Sequence, residues 1–512
     1  MFNSCDGLGL AQDFADLQIP QLIVMRQAVP DRVAAQFLQY FLAAYAQGSP
    51  LYSAVRQGRE RLESLEDRFP CATWLPIIFQ NLAAPALSWN DLLGRSPQPP
   101  KRRALKGWPW LIPAAGLVAA LVTSGVRSLG VLQTPELMVY DQMLRSRPQE
   151  PGDSRIVVIT VTEEDVKAQA EGRGSLSDRA FEQLLTKLEA LQPTAIGLDI
   201  YRDFPVGKGF PKLATRMNKS KTLVAVCRSN DIATKLQGIA PPPEVSSDRL
   251  GFSNFVSDPD HVVRRQLLAL EPAPDSPCPA DYGLSSQLAL RYLDKQGITL
   301  QVSPKGVWQL GKATFAPLEA RHGGYQAIDA WGYQVMLNYR NYRDPAEVAP
   351  RITLSQALSG ALTAAAIKDR IVLIGTTAES FQDFTLTPFR NGQGAQHQIP
   401  GVMMQAQMVS QLLSAAMEGR SLIRSLPLLG DGLCLLLGGA IGGALVVLRS
   451  RFGSGVCLLG GIVLVGGVCT LGFWGLARPG LWLPVVPTLL SAGLSAGLLL
   501  SYEHKIYTKK QP

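Results

Sequence analysis

The chain has 512 residues, room for three or four domains, with 46% hydrophobic residues and a net charge of +8. The basic excess sits beside apolar runs rather than on a basic helix or an aromatic-interleaved patch, which argues against a nucleic-acid partner. Seven cysteines and four histidines show no zinc-ligand spacing, so neither a metal nor a cofactor is expected.

Residues 1–94 read as α/β. Leu22–Met25 is a short buried strand pattern, and Pro30–Tyr45 carries apolar residues at helical spacing (Val33, Phe37, Phe41). Ser49–Asp67 predicts a second, strongly charged helix. Five stretches give this region a family likeness: Phe2–Ala11 (FNSCDGLGLA), Leu22–Asp31, Phe37–Gly48, Ala54–Leu62 and Trp74–Asn81. Together they resemble the C-terminal half of a CHAT domain, a caspase-like family. The resemblance implies that Cys5 is the nucleophile of a cysteine peptidase whose catalytic histidine lies upstream. No histidine precedes Cys5 in this sequence. A thiol near its usual pKa of about 8.5 needs a neighbouring base to attack anything at neutral pH. The catalytic candidate Cys5 therefore stands as half of a dyad.

Residues 95–107 (RSPQPPKRRALKG) form a Pro-rich basic linker. Four apolar runs meet the bilayer requirement of about 20 residues: 108–126, 426–448, 456–476 and 481–500. Basic residues flank three connections: Lys101, Arg102, Arg103 and Lys106 before the first run, Arg449 and Arg451 between the second and third, and Lys505, Lys509 and Lys510 after the fourth. The positive-inside rule puts all three groups in the cytoplasm. Both termini are then cytoplasmic and residues 127–425 extracytoplasmic, in a multi-pass protein of the inner (plasma) membrane. Arg420 and Arg424 count against this orientation, but they are fewer. Residues 1–25 lack the basic start and apolar run of a cleavable signal. Asp431 interrupts the second run near its start, either as an interfacial residue or as a functional intramembrane carboxylate.

The long segment between the first and second runs alternates strands and helices. Ile156–Val161 (IVVITV) is a buried strand, Asp178–Leu191 a helix, Ala195–Ile200 (AIGLDI) a second buried strand and Leu223–Val226 a third. Strand, helix, strand with apolar strands throughout indicates a parallel βαβ unit. Arg370–Gly375 (RIVLIG) is another buried strand, and Val402–Met417 a helix leading to the membrane. Between them, Gln301–Pro317 and Gln334–Tyr339 alternate like antiparallel or edge strands, so a mixed sheet is expected. Cys227 and Cys278 either pair as a disulfide or remain free thiols.

Several long motifs in this segment recur in order: Tyr140–Pro148 (YDQMLRSRP), Ala195–Asp203 (AIGLDIYRD), Leu250–Arg265, Gly323–Arg340, Asp369–Pro388 and Pro400–Leu413. Residues 137–425 thereby resemble the type-2 CHASE domain, an extracytoplasmic sensory domain followed, as here, by membrane helices. The combination resembles cyanobacterial receptor-like proteins. The fold class implied is multidomain α/β with transmembrane helices: a truncated caspase-like segment, an α/β sensory domain with a mixed sheet, four spans and a tail at 501–512. The resemblance implies an integral membrane sensor of an external small molecule, relaying to the CHAT-like segment; its partners would be that ligand and the lipid bilayer, with a homodimer as a candidate assembly. A membrane-tethered cysteine peptidase is the alternative.

Three residues are candidates for ligand binding. Asp199 ends a buried parallel strand, at the edge where open α/β sheets take ligands. Thr376, in Gly375-Thr376-Thr377, ends another, and Asp383 lies in the loop after it. If the strands are neighbours, Asp199, Thr376 and Asp383 converge on one cleft. Asp203 is a further carboxylate near that edge. Asp258, Asp260 and His261 carry metal-ligand atoms in what reads equally as a β-turn, and Arg264-Arg265 offer either an anion contact or salt bridges. No Walker loop, Gly-x-Ser-x-Gly elbow, kinase or cyclase signature is found.

Overall fold

Residues 21–80, 88–93, 108–169, 174–230, 236–340, 345–389 and 398–508 are described by the computed structural model of this protein, in two units divided after Arg103. In the first, β1 (Gln21–Met25) pairs antiparallel with β2 (Pro76–Gln80). Helix α1 (Asp31–Ala46) stacks Phe37 and Phe41 toward α2 (Leu51–Arg61), whose Gly58 leaves room for the Phe37 ring. The helix expected over 49–67 ends early, at Arg61, and tightens into a 3₁₀ turn at Leu62–Leu65.

The second unit begins with α3 (Trp108–Ser128) and α4 (Gln133–Arg145). It then lays down β3 (Ile156–Val161), α5 (Asp178–Ala190), β4 (Ala195–Asp199), α6 (Pro211–Lys219), β5 (Leu223–Cys227) and β6 (Leu250–Phe252). Next come β7 (Val256–Ser257), β8 (Val263–Ala269), α7 (Leu284–Lys295), the meander β9 (Gln301–Val302), β10 (Trp308–Leu310) and β11 (Ala313–Phe315), and β12 (Tyr333–Met336). The α/β domain closes with β13 (Arg351–Thr353), β14 (Ile371–Thr376), the hairpin β15 (Phe384–Leu386) and β16 (Gln398–Pro400), and α8 (Gly401–Glu418).

Six of these strands make the central sheet, in the order β13-β3-β14-β4-β5-β6, and every pair is parallel. This corrects the mixed sheet expected from the sequence: the antiparallel strands exist, but they form the separate sheets β7-β8-β12 and β9-β10-β11. Parallel strands must be covered on both faces, which is why β3 and β14 are buried at every position. Ile156 and Val158 face α7 and α8, whereas Val157, Ile159 and Val161 face α5 and α6. Each such aliphatic side chain contributes about 1.5–3 kcal/mol when removed from water, enough to fix the strand's register against a one-residue slip that would exchange its faces. Cys227 and Cys278 are joined as a disulfide.

Helices long and apolar enough to cross a membrane cover 110–128, 428–452, 454–477 and 485–505. They belong to α3, α9 (Leu428–Phe452), α10 (Ser454–Ala477) and α11 (Val485–Thr508). Glycines on α9 let neighbouring backbones approach: a Cβ on Gly438 would lie 2.5 Å from the Thr488 carbonyl oxygen, and Gly442 faces the Ala492 carbonyl. The fourth span does not begin at Leu481 as expected. β18 (Leu481–Trp482) pairs with β17 (Arg424–Ser425), and the helix starts only at Val485. Trp482 leaves the apolar run to pack on Tyr140, Tyr325 and Gly323.

Candidate ligand-binding site

The carboxyl ends of four adjacent parallel strands open onto a cleft of about 540 Å³. β14 brings Thr376 and, after a turn through Gln382 in the left-handed region (φ 51°), Asp383. β4, its neighbour with Gly375 opposite Asp199, brings Asp199 and Tyr201. β5 is followed by Arg228, and β6 by Ser253 and Asn254. The three residues expected to converge, Asp199, Thr376 and Asp383, all line this cleft. Asp203 is exposed and lies elsewhere.

Asp383 is placed by its neighbours on both sides. The pairing of Phe384 with Pro400 in the β15–β16 hairpin sets it beside the first residue of α8, and the Gly401 N–H donates to the Asp383 carbonyl oxygen at 3.0 Å. A Cβ on Gly401 would sit 2.6 Å from Asp383 Oδ2, so only glycine admits this carboxylate at the helix N-terminus. Neither carboxylate has an ion-pair partner among the described residues. Burial raises Asp199 well above the usual carboxylate range, and the charge of Asp383 adds to that rise; burial raises Asp383 as well.

Opposite the acids, Arg228 lies over the Tyr201 ring with 5.8 Å from its guanidinium carbon to the ring centroid. Its Nε and Nη2 donate to the Gln237 carbonyl oxygen at 3.1 and 2.8 Å. Tyr201 and Ser253 share a hydroxyl hydrogen bond of 2.6 Å, and Asn254 exchanges two hydrogen bonds with the Ser229 backbone. Tyr201, Arg228, Ser253 and Asn254 were not picked out from the sequence. The rule that found Asp199, residues at or just past the end of a buried parallel strand, reaches Tyr201 after β4, and Arg228, Ser253 and Asn254 when applied to β5 and β6.

The other motifs have different fates. Arg264 is buried and bonded to Asp141, Asp258 and Asp260 at 2.6–2.9 Å, while Asp258 also takes Arg265 and the Tyr325 hydroxyl. Asp258 and Asp260 therefore serve arginines, in a structural ion-pair network. His261 occupies a turn with φ 63°. Asp431, at the start of α9, meets Arg127 at 2.5 Å; Arg127 also binds Glu136 at 3.2 Å and the Gly323 carbonyl at 2.5 Å. This buried cluster joins two spans to the base of the α/β domain. Cys5 lies outside the described residues.

From the cleft, α8 runs buried through the domain. At its start Val402 packs against Gly375. Toward its end Ser410 and Ser414 accept from Arg340 at 2.6 and 2.7 Å, and Ser410 donates to Asp153 at 2.7 Å. After the left-handed Gly419 (φ 73°), Arg420 pairs with Glu150 at 2.7 Å, the Ser421 hydroxyl donates to the Arg478 carbonyl at 2.9 Å, and the Arg424 N–H donates to Gly480 at 2.9 Å. A single helix thus begins at the cleft and ends at the loop between the third and fourth spans.

A family model described as CHASE2 domain matches residues 118–444. No curated protein and no solved structure matches the chain.

Proposed function

Because the chain belongs to the CHASE2 domain family, we propose that it is a membrane-embedded sensor. Its α/β domain recognises an external small molecule at the cleft containing Asp199, Thr376 and Asp383, and passes occupancy through α8 to the spans. The domain faces outward and both termini face the cytoplasm, in keeping with the basic residues Arg449, Arg451 and Lys505 at the opposite ends of the spans. The signal then reaches the CHAT-like residues 1–94.

The observation that carries this reading is the path of α8. Its first residue touches a cleft carboxylate, and the turn after its last is bonded to the membrane-span connection. A ligand that changes the charge or position of Asp383 acts directly on the helix N-terminus, where a carboxylate is worth about 0.3–1 kcal/mol. Coupling of sites requires that such a difference be felt at the far end.

Hydrogen exchange of the full chain in nanodiscs tests it. Asp383→Asn should change amide exchange over residues 414–425 by about two- to fivefold, the factor that 0.3–1 kcal/mol allows, with β3 unchanged. Exchange at 414–425 identical to the native protein would remove α8 as the relay.

A further inference from the structure

We infer that the cleft takes a small amphoteric ligand, its ammonium group held between Asp199 and Asp383 and its acidic group directed to Arg228; this identifies the class of molecule and rests on the sensor reading above.

The order of strands along one sheet edge sets which side of the cleft each charge comes from. β14, β4, β5 and β6 lie side by side, at about 4.8 Å per strand. The two carboxylates belong to the β14 and β4 side of the cleft, and the guanidinium to the β5 side. The acids and the base thus line one cleft from neighbouring strands, with no ion pair between them among the described residues. Acids and base that face one cavity without neutralising one another leave a dipolar recess.

Each half is short of a partner. Neither Asp199 nor Asp383 meets a cation among the described residues, and their like charges oppose each other in a poorly solvated place. Arg228 spends Nε and Nη2 on one backbone carbonyl and its planar face on Tyr201, leaving Nη1 with no partner among the described residues. That fixes the guanidinium of a cleft-lining arginine and leaves both Nη1 N–H groups to donate. An ammonium would relieve the repulsion between the acids, and a carboxylate or similar anion would complete the arginine. Ser253 and Asn254 add neutral hydrogen-bonding groups beside Arg228. A purely anionic ligand would meet two acids, and a purely cationic one would leave the arginine idle.

The experiment is a thermal-shift and calorimetric titration of the full chain in nanodiscs. The probes are β-alanine, γ-aminobutyrate and 5-aminovalerate, which space the two charges progressively, with n-butylamine and butyrate as single-charge controls. At least one amphoteric probe should bind, about tenfold or more tightly than either control, since a charged hydrogen bond lost to a buried partner costs that much. Asp199→Asn, Asp383→Asn and Arg228→Gln should each weaken that probe about tenfold or more. The asparagine variants keep the shape of the acids, and circular dichroism of all three checks that they fold. Binding of n-butylamine equal to the best amphoteric probe, with Arg228→Gln indifferent, would overturn the amphoteric assignment while leaving a cation sensor. Binding of butyrate alone would overturn it in the other direction. No binding by any of the five probes would overturn it too, and the exchange change in Asp383→Asn would then show whether the sensor reading survives.

Discussion

Replacing Arg127 by alanine removes the one cation from a buried cluster that ties the membrane helices to the α/β domain. In the native protein its guanidinium, 8% exposed, meets Glu136 (2%) and Asp431 (12%) and caps the Gly323 carbonyl. Arg127→Ala leaves two carboxylates and a carbonyl facing one another out of water. Removing one partner of a buried pair costs about 3–5 kcal/mol, far more than the net worth of the pair, because the remaining charge is uncompensated. The loss should depend on pH. Burial already raises Glu136 to about 7 in the presence of Arg127. A carboxyl raised in the folded state contributes stability below its unfolded pKa of about 4.3, and that contribution is lost as pH rises through about 7. Without Arg127 the folded pKa climbs further, so the penalty should be larger at pH 8 than at pH 5. The assay is unfolding of nanodisc-held protein, by temperature and by denaturant, for Arg127→Ala, Arg127→Lys and the triple variant Arg127→Ala/Glu136→Gln/Asp431→Asn. The triple variant should recover most of the loss, and lysine should be intermediate because one ammonium cannot serve three acceptors along fixed directions. A loss below about 1 kcal/mol for Arg127→Ala would mean that water reaches the cluster, as at exposed ion pairs. Failure of the triple variant to recover would mean that the arginine stem, not its charge, holds the joint.

Two further outcomes are expected. Asp199→Asn should stabilise the ligand-free protein at pH 8 and be neutral near pH 4, because a carboxyl whose folded pKa is raised destabilises increasingly as pH rises above its unfolded value; thermal midpoints at the two pH values check this. Reducing the Cys227–Cys278 disulfide, which spans 51 residues, or replacing both cysteines by serine, should cost about 2–4 kcal/mol by freeing the unfolded chain, measured as a denaturant midpoint with and without reductant.

Much of the α/β domain was legible because parallel strands announce themselves. IVVITV, AIGLDI and RIVLIG carry β-branched or aliphatic residues on both faces, and the structure makes them β3, β4 and β14. The meeting of Asp199, Thr376 and Asp383 followed from one rule about carboxyl ends plus the adjacency of β4 and β14. The departures have equally local causes. The antiparallel strands alternate as expected, but nothing in their pattern says whether they join the main sheet or pair among themselves. Two residues of pairing between β17 and β18 are too short to leave a periodicity, so Leu481–Trp482 read as membrane helix. Arg127 sits one residue past the expected end of the first run, where it reads as an ordinary flanking charge. Its partners are 9 and 304 positions away, a separation no local pattern encodes.

The claim on which the sensor reading stands is that the cleft domain faces the outside. It is tested most directly by labelling intact cells with a membrane-impermeant maleimide, in a chain whose free cysteines are serine. Lys305→Cys and Arg451→Cys, both exposed, report the two sides. Labelling at position 305 in intact cells, with position 451 labelled only after permeabilisation, is the expected result. The reverse pattern would place the cleft in the cytoplasm and contradict an external sensor.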